Sequence, residues 1–103
     1  MNEVISQIVT DILGVCEPLR IILFAEKHTM STGKLKTVSL CVIVPAGTHC
    51  RALRIRLHLA ISMDMPVNLS VYSVDEWEDL LDDHTSYASW IDKKGQVIYE
   101  QAT

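Results

Sequence analysis

Two apolar segments rich in β-branched residues limit the folds open to this chain. Residues 19–25 read LRIILFA, and residues 37–44 read TVSLCVIV before Pro45 stops the run. Short runs of this composition are typical of strands that are buried in a sheet. A buried sheet has to be covered by other elements, so the two segments predict a domain that combines strands with helices.

Two further segments have the apolar spacing of amphipathic helices. Residues 4–13 place apolar side chains at spacings of one, three and four, and Gly14 is expected to end this helix. Residues 49–63 predict a second helix, with Thr48 as its N-cap. Each helix presents one apolar face, which favours packing against the predicted strands.

The second half of the chain adds a strand and two shorter helices. Residues 66–72 alternate apolar and polar side chains, which predicts a half-buried strand. The next helix has an apolar stripe that begins at Trp77, and either Ser73 or Asp75 can cap it. Residues 87–94 predict another helix, so the two helices follow the strand without a long linker.

The remaining segments complete the predicted order of elements. Gly95 ends the last helix, and residues 96–100 form a short final strand, whereas the polar residues 26–36 predict a loop with at most a short helical turn. The order is therefore α-β-β-α-β-α-α-β. We predict one α/β (α+β) domain over residues 1–103, with a small mixed β-sheet covered by helices.

Composition and charge exclude several classes of function. Hydrophobic residues make up 49% of the chain and charged residues 21%, the balance of an ordinary soluble domain. The net charge of −4 has the wrong sign for a general nucleic-acid-binding protein. The longest apolar runs are too short to span a bilayer, and no segment resembles a signal peptide. We expect a cytoplasmic protein that acts without membrane or nucleic-acid partners.

The cysteines and histidines do not form a recognisable site. Cys16, Cys41 and Cys50 lack CxxC spacing, and their odd number argues against a disulfide framework. We expect reduced thiols, mostly buried, with Cys41 in the core of the second strand. None of the histidines has a second ligand at zinc-like spacing, so no metal site is expected.

Charged residues are concentrated in two helical segments. Arg51, Arg54 and Arg56 lie in one of them. The other contains six acidic residues: Asp75, Glu76, Glu78, Asp79, Asp82 and Asp83. Such clusters are most often solvated helix faces, but they can also serve as complementary patches for self-association or for a partner. Trp77 and Trp90 have helical spacing from other apolar residues and are interpreted as core or interface anchors.

A longer pattern covers the second half of the chain. The segments PAGTH at 45–49, PVNLSV at 66–71, DEWE at 75–78 and KGQVIYE at 94–100 follow one another, with a basic helix after the first. In pattern and order the chain resembles the minimal nucleotidyltransferases of the DNA-polymerase-β-like superfamily. With the first half included, the resemblance extends over nearly the whole chain and implies the same nucleotidyltransferase-like fold.

The resemblance also implies where an active site would lie. Members carry a Gly-Ser turn after the first strand, an Asp-x-Asp on the second strand and a third Asp on the strand after the long helix. The acids hold two Mg²⁺ ions that bridge the nucleotide phosphates. In this chain Ala25 and Glu26 occupy the Gly-Ser position, Thr37 and Ser39 the Asp-x-Asp position, and Asn68 the position of the third acid. Neutral groups cannot offset the repulsion between two divalent ions about 4 Å apart.

The altered positions lead to three functional hypotheses. The first is a pseudoenzyme without metal or nucleotide cofactor, which binds a small helical partner protein or assembles with itself. The second is a homodimeric interaction module. The third is a working nucleotidyltransferase with displaced metal ligands, in which Glu26 reaches the site and Mg²⁺ and a nucleoside triphosphate bind. Glu26 would oppose a triphosphate electrostatically, and His28 and His49 are expected near the phosphate pocket.

Overall fold

Four strands form a mixed sheet in the computed structural model, which describes residues 3–102 of the chain. They are β1 (Arg20–His28), β2 (Leu35–Val44), β3 (Val67–Ser73) and β4 (Gln96–Glu100). Their order across the sheet is β3-β2-β1-β4. Strand β1 runs antiparallel to β2 and β4, whereas β2 and β3 are parallel because a helix between them carries the chain back.

Four helices cover this sheet on both faces. They are α1 (Glu3–Leu13), α2 (Cys50–Ala60), α3 (Val74–Leu81) and α4 (Tyr87–Lys94). The observed order α-β-β-α-β-α-α-β confirms the predicted fold class and element order. None of the helices within residues 3–102 combines the length and the apolar character needed to cross a bilayer.

The alternation of side chains along β2 divides the interior into two cores. Val38, Leu40, Val42 and Val44 pack against α1 and α2. Cys41 and Ile43 point to the opposite face and pack against α3 and α4, where Trp77 is 3% exposed. The sheet is therefore buried on both faces. This is expected of continuous apolar runs, in which adjacent residues point to opposite faces and so belong to different cores.

The predicted loop at 26–36 is wrong at both of its ends. Strand β1 continues to His28 and β2 begins at Leu35, so the two strands form a long antiparallel hairpin. The chain reverses over residues 29–34, where Gly33 has a φ of 71°. The segment shows no apolar alternation because its residues are polar and mostly exposed, apart from Leu35, which packs against the core under α1 and α2.

The start and end of α2 also differ from the prediction. The N-cap is His49 rather than Thr48, since His49 Nδ1 accepts a hydrogen bond from the backbone N–H of Ala52 at 3.2 Å. The helix ends at Ala60 rather than at residue 63, because Ile61 has an extended backbone. An imidazole acceptor performs here the role that serine, threonine or a carboxamide usually takes.

Candidate functional site

Three of the positions singled out by the sequence form a row across the sheet. Ala25 on β1 lies opposite Ser39 on β2, and Ser39 is the register partner of Asn68 on β3. A bulge at Phe24 shifts the register so that Ala25 falls in this row. Side chains that are directly opposite one another share a face, so all three point to the side of the sheet that α3 and α4 cover further along.

Ser39 and Asn68 are in direct contact. The Asn68 Nδ2 atom donates a hydrogen bond to Ser39 Oγ at 3.3 Å. Thr37 lies two residues before Ser39 on β2, on the same face, opposite Lys27 of β1. Thr37 and Ser39 are half-buried, and Asn68 is exposed. The structure thus brings Thr37, Ser39 and Asn68 to one end of the sheet, on a part of this face that the helices do not cover.

Glu26 lies on the other face of the sheet. It is the register partner of Val38, whose side chain belongs to the core under α1 and α2. The Glu26 Oε1 atom is 3.6 Å from His28 Nε2, and the His28 Nδ1 atom donates to the carbonyl of Gly33 at 3.1 Å. This pair borders a cavity of about 450 Å³ beside Ile5. The sheet itself therefore separates Glu26 from Ser39 and Asn68.

The local backbone at Ala25 and Glu26 is an extended strand rather than a turn. Both residues pair with β2, and the reversal of the chain comes later, at 29–34. The hairpin continues directly into β2, so no helix begins at this point. His49 lies at the opposite end of β2, at the start of α2, which corrects the expectation that it lies near this site.

The chemistry available at the Thr37–Ser39–Asn68 site is that of uncharged hydrogen-bonding groups. Two hydroxyls and a carboxamide can donate and accept, but they supply no negative charge for a hard divalent cation. Lys27 adds a positive charge at the neighbouring register position. Across residues 3–102, no three His, Cys, Asp or Glu side chains are arranged to hold a metal ion.

Three aromatic rings lie next to the site on the same face of the sheet. The Tyr87 and Trp90 rings of α4 are stacked, with centroids 5.7 Å apart and planes 8° from parallel. Phe24, at the β1 bulge, meets both rings edge-on, with centroid distances of 5.8 and 6.0 Å. The sequence predicted Trp90 as a core or interface anchor but did not predict this cluster, for which the three-residue spacing between Tyr87 and Trp90 was the available signal.

Cys41 lies below the site, two residues after Ser39 on the same face. It is fully buried, and burial raises the pKa of its thiol to about 12. Burial also raises the pKa of the Cys16 and Cys50 thiols, which are only partly covered. Cys41 is therefore a core residue and is not poised as a nucleophile.

The difference in burial between Cys41 and the other two cysteines predicts the result of thiol labelling. At about pH 8 the Cys41 thiolate fraction is on the order of one in ten thousand, and the side chain is closed to solvent. Iodoacetamide should modify Cys16 and Cys50 slowly in the native protein and Cys41 only after denaturation. Peptide mass spectrometry with and without urea distinguishes the sites. Equal labelling of Cys41 and Cys50 in the native state would contradict the burial.

Comparisons of the chain with protein families, with curated proteins and with solved structures find no match.

Proposed function

We propose that this chain is a cytoplasmic, nucleotidyltransferase-like domain that does not transfer nucleotides and acts as a binding or assembly partner. The observation that carries the proposal is the contact between Asn68 Nδ2 and Ser39 Oγ, 3.3 Å apart. These residues occupy two positions at which the enzymes that the chain resembles hold metal-binding acids. The side chains are close enough to have shared a ligand, and they bond to each other instead.

Electrostatics supports the loss of metal-dependent transfer. Mg²⁺ prefers anionic oxygen and gives up its waters reluctantly, so a hydroxyl and a carboxamide are poor replacements for carboxylates. Two such ions also repel each other strongly unless anionic ligands lie between them. Lys27, at the register position opposite Thr37, adds a positive charge beside the site. A pair of divalent cations would therefore meet repulsion and no compensating ligand.

The position of Glu26 weighs against the alternative of an enzyme with displaced ligands. Its carboxylate lies beside His28, on the α1 side of the sheet. To reach the Ser39 site it would have to pass through the β1–β2 ladder, which would break the pairing of Glu26 with Val38. A backbone pairing within a ladder is costly to leave unmade, so this movement is disfavoured.

A binding role is consistent with what the surface displays. The ring cluster next to the site includes Tyr87 and Trp90, which are 54% and 45% exposed. Exposed tyrosine and tryptophan side chains are frequent anchors of protein interfaces. The arginines of α2 and the acids of α3 lie on opposite sides of the sheet and offer charged surfaces to a partner. A small helical protein or a second copy of this chain are the candidate partners.

Calorimetry tests the loss of nucleotide transfer. The wild-type protein should show no heat that depends on the metal when ATP, GTP, CTP or UTP is titrated with millimolar Mg²⁺ or Mn²⁺. The expected reason is the absence of anionic ligands at Thr37, Ser39 and Asn68. Saturable binding with a dissociation constant below about 100 μM that requires the metal would overturn the proposal. A parallel titration in EDTA separates metal-dependent binding from binding of the nucleotide alone.

A further inference from the structure

A cavity of about 250 Å³ lies between α3 and the sheet, at the end where β1 begins and β2 ends. It is therefore at the opposite end of β2 from the Thr37–Ser39–Asn68 site. Most of its lining is apolar: Leu19, Ile43, Val74, Trp77 and Leu81. An apolar cavity of about 150 Å³ can hold benzene. The volume is therefore sufficient for an apolar side chain and a few further atoms.

Trp77 lines this cavity and carries a hydrogen-bond donor that lacks an acceptor. The side chain is 3% exposed, and its Nε1 atom has no hydrogen-bond partner among residues 3–102. Buried indole N–H groups usually find a partner, because leaving a buried donor unpaired costs free energy. A molecule that fills the cavity lies against the Trp77 side chain and can supply the acceptor.

Two opposite charges line the same cavity without neutralising each other. Arg20 pairs with Glu100 instead, through its Nε atom and Glu100 Oε2 at 3.1 Å. Glu78 takes part in no ion pair in the described part of the chain. A guanidinium group has five N–H donors, and the Nη atoms of Arg20 bond to no other group of residues 3–102. The cavity thus offers donors for an anionic group and a carboxylate for a cationic group.

We propose that this cavity binds a free apolar α-amino acid in its zwitterionic form. The ligand carboxylate accepts hydrogen bonds from Arg20 and from Trp77 Nε1, and the ligand ammonium group donates to Glu78. The apolar side chain packs against the apolar walls. A ligand that is only anionic meets repulsion from Glu78, and one that is only cationic meets repulsion from Arg20. A zwitterion with an apolar body is the class that uses all of these groups.

The size and the exposure of the site set the expected selectivity and strength. Leucine, methionine and phenylalanine can cover the apolar walls, whereas glycine buries no apolar surface and should not bind. A small ligand makes few contacts, so we expect dissociation constants between about 100 μM and 1 mM. The charged contacts are partly exposed, so binding weakens at high salt. The proposal goes beyond the loss of nucleotidyl transfer and does not depend on it.

Nuclear magnetic resonance of the indole N–H groups tests the proposal directly. The chain contains two tryptophans, so a ¹⁵N-labelled sample gives two indole signals, which the variant Trp90→Tyr assigns. Titration with L-phenylalanine, L-leucine or L-methionine should move the Trp77 proton downfield and saturably, because its N–H gains an anionic acceptor. The Trp90 signal should stay in place. If none of the three amino acids moves the Trp77 signal at tens of millimolar, the proposal is overturned.

Two analogues of phenylalanine separate the contributions of the charges. 3-Phenylpropionate lacks the ammonium group, and 2-phenylethylamine lacks the carboxylate. Each should bind at least about fivefold more weakly than phenylalanine, because each loses one charged contact and keeps one repulsion. Equal binding of either analogue would mean that the site does not recognise a zwitterion, which overturns the assignment of the ligand class.

Substitutions at the cavity complete the test. Arg20→Gln and Glu78→Gln should each weaken phenylalanine binding at least about fivefold. Arg20→Gln also loses the pair with Glu100, so Glu100→Gln is the matched control, which breaks that pair and leaves the cavity charges in place. Glu76→Gln removes a charge from α3 outside the cavity. Both controls should bind as wild type does. Unchanged binding in Arg20→Gln and Glu78→Gln, or an equal loss in the controls, overturns the proposal.

Discussion

Replacing Gly95 with alanine should lower the free energy of unfolding by about 2–3 kcal/mol. A Cβ atom at this position would lie 2.3 Å from Ile22 Cγ2 and 2.7 Å from the carbonyl oxygen of Ile91. Ile22 is 2% exposed and belongs to the core under α4, so it has little space into which to move. The Ile91 oxygen also accepts the hydrogen bond from Gly95 N at 2.7 Å, and a shift there would open the end of α4.

The matched control is Gly14→Ala. A Cβ at Gly14 would meet backbone oxygens at 3.5 and 3.7 Å, which are ordinary contact distances. This variant should change stability by less than about 1 kcal/mol, because it chiefly restricts the unfolded chain. Urea denaturation of both variants, followed by circular dichroism, gives the comparison. If the two alanines have the same small effect, the close approach of α4 to β1 at Gly95 is not real.

Gly95 illustrates which part of the fold was accessible from the sequence. The helical spacing before it and the apolar run after it predicted a helix that ends at this glycine, and α4 does end at Lys94. The sequence did not show why the residue at position 95 has to be glycine. Gly95 has a φ of −81°, which any residue adopts, so what requires glycine is contact with Ile22, more than 70 residues away. Local patterns predict elements, whereas close packing depends on the assembled fold.

The β1–β2 hairpin shows a second limit on what the sequence could predict. Among residues 26–28 and 35–36 only Leu35 is apolar, and a single apolar residue carries no periodic signal for a strand. Their pairing follows from the neighbouring buried strands, which set the register and extend it outward. The same extension places Glu26 on the α1 face, since successive strand residues alternate. The resemblance predicted that Ser39 and Asn68 lie at one site, and the two residues are register partners. It also placed Glu26 at that site, whereas Glu26 lies on the other face of the sheet.

Introducing acids at Thr37, Ser39 and Asn68 should make the domain less stable in the absence of metal. The three positions lie at one end of the sheet, and two of them are in hydrogen-bond contact. Like charges at such distances repel, so the variant Thr37→Asp/Ser39→Asp/Asn68→Asp should lose about 1–2 kcal/mol of stability at neutral pH, an estimate reduced for solvent exposure.

The pH dependence of this variant has a definite direction. Mutual repulsion raises the pKa of at least one introduced carboxyl above its unfolded value of about 3.9. The folded protein then binds more protons than the unfolded chain between the two values, so stability relative to wild type falls as the pH rises through that interval. Below this interval the carboxyls are protonated in both states, so the electrostatic part of the difference in stability between variant and wild type should disappear.

Divalent metal should reverse the loss, because Mn²⁺ or Mg²⁺ would find the anionic oxygens that the wild-type site lacks. We expect the triple variant to bind Mn²⁺ at least about a hundredfold more tightly than wild type, with a rise in thermal midpoint that follows the metal concentration. The control is Thr37→Asn/Ser39→Asn, which adds comparable volume without charge and should gain neither property. Electron paramagnetic resonance of free Mn²⁺ measures the binding directly. A triple variant that folds and shows no more Mn²⁺ binding than this control would mean that the three side chains do not converge on one site, and the nucleotidyltransferase-like ancestry would lose its main support.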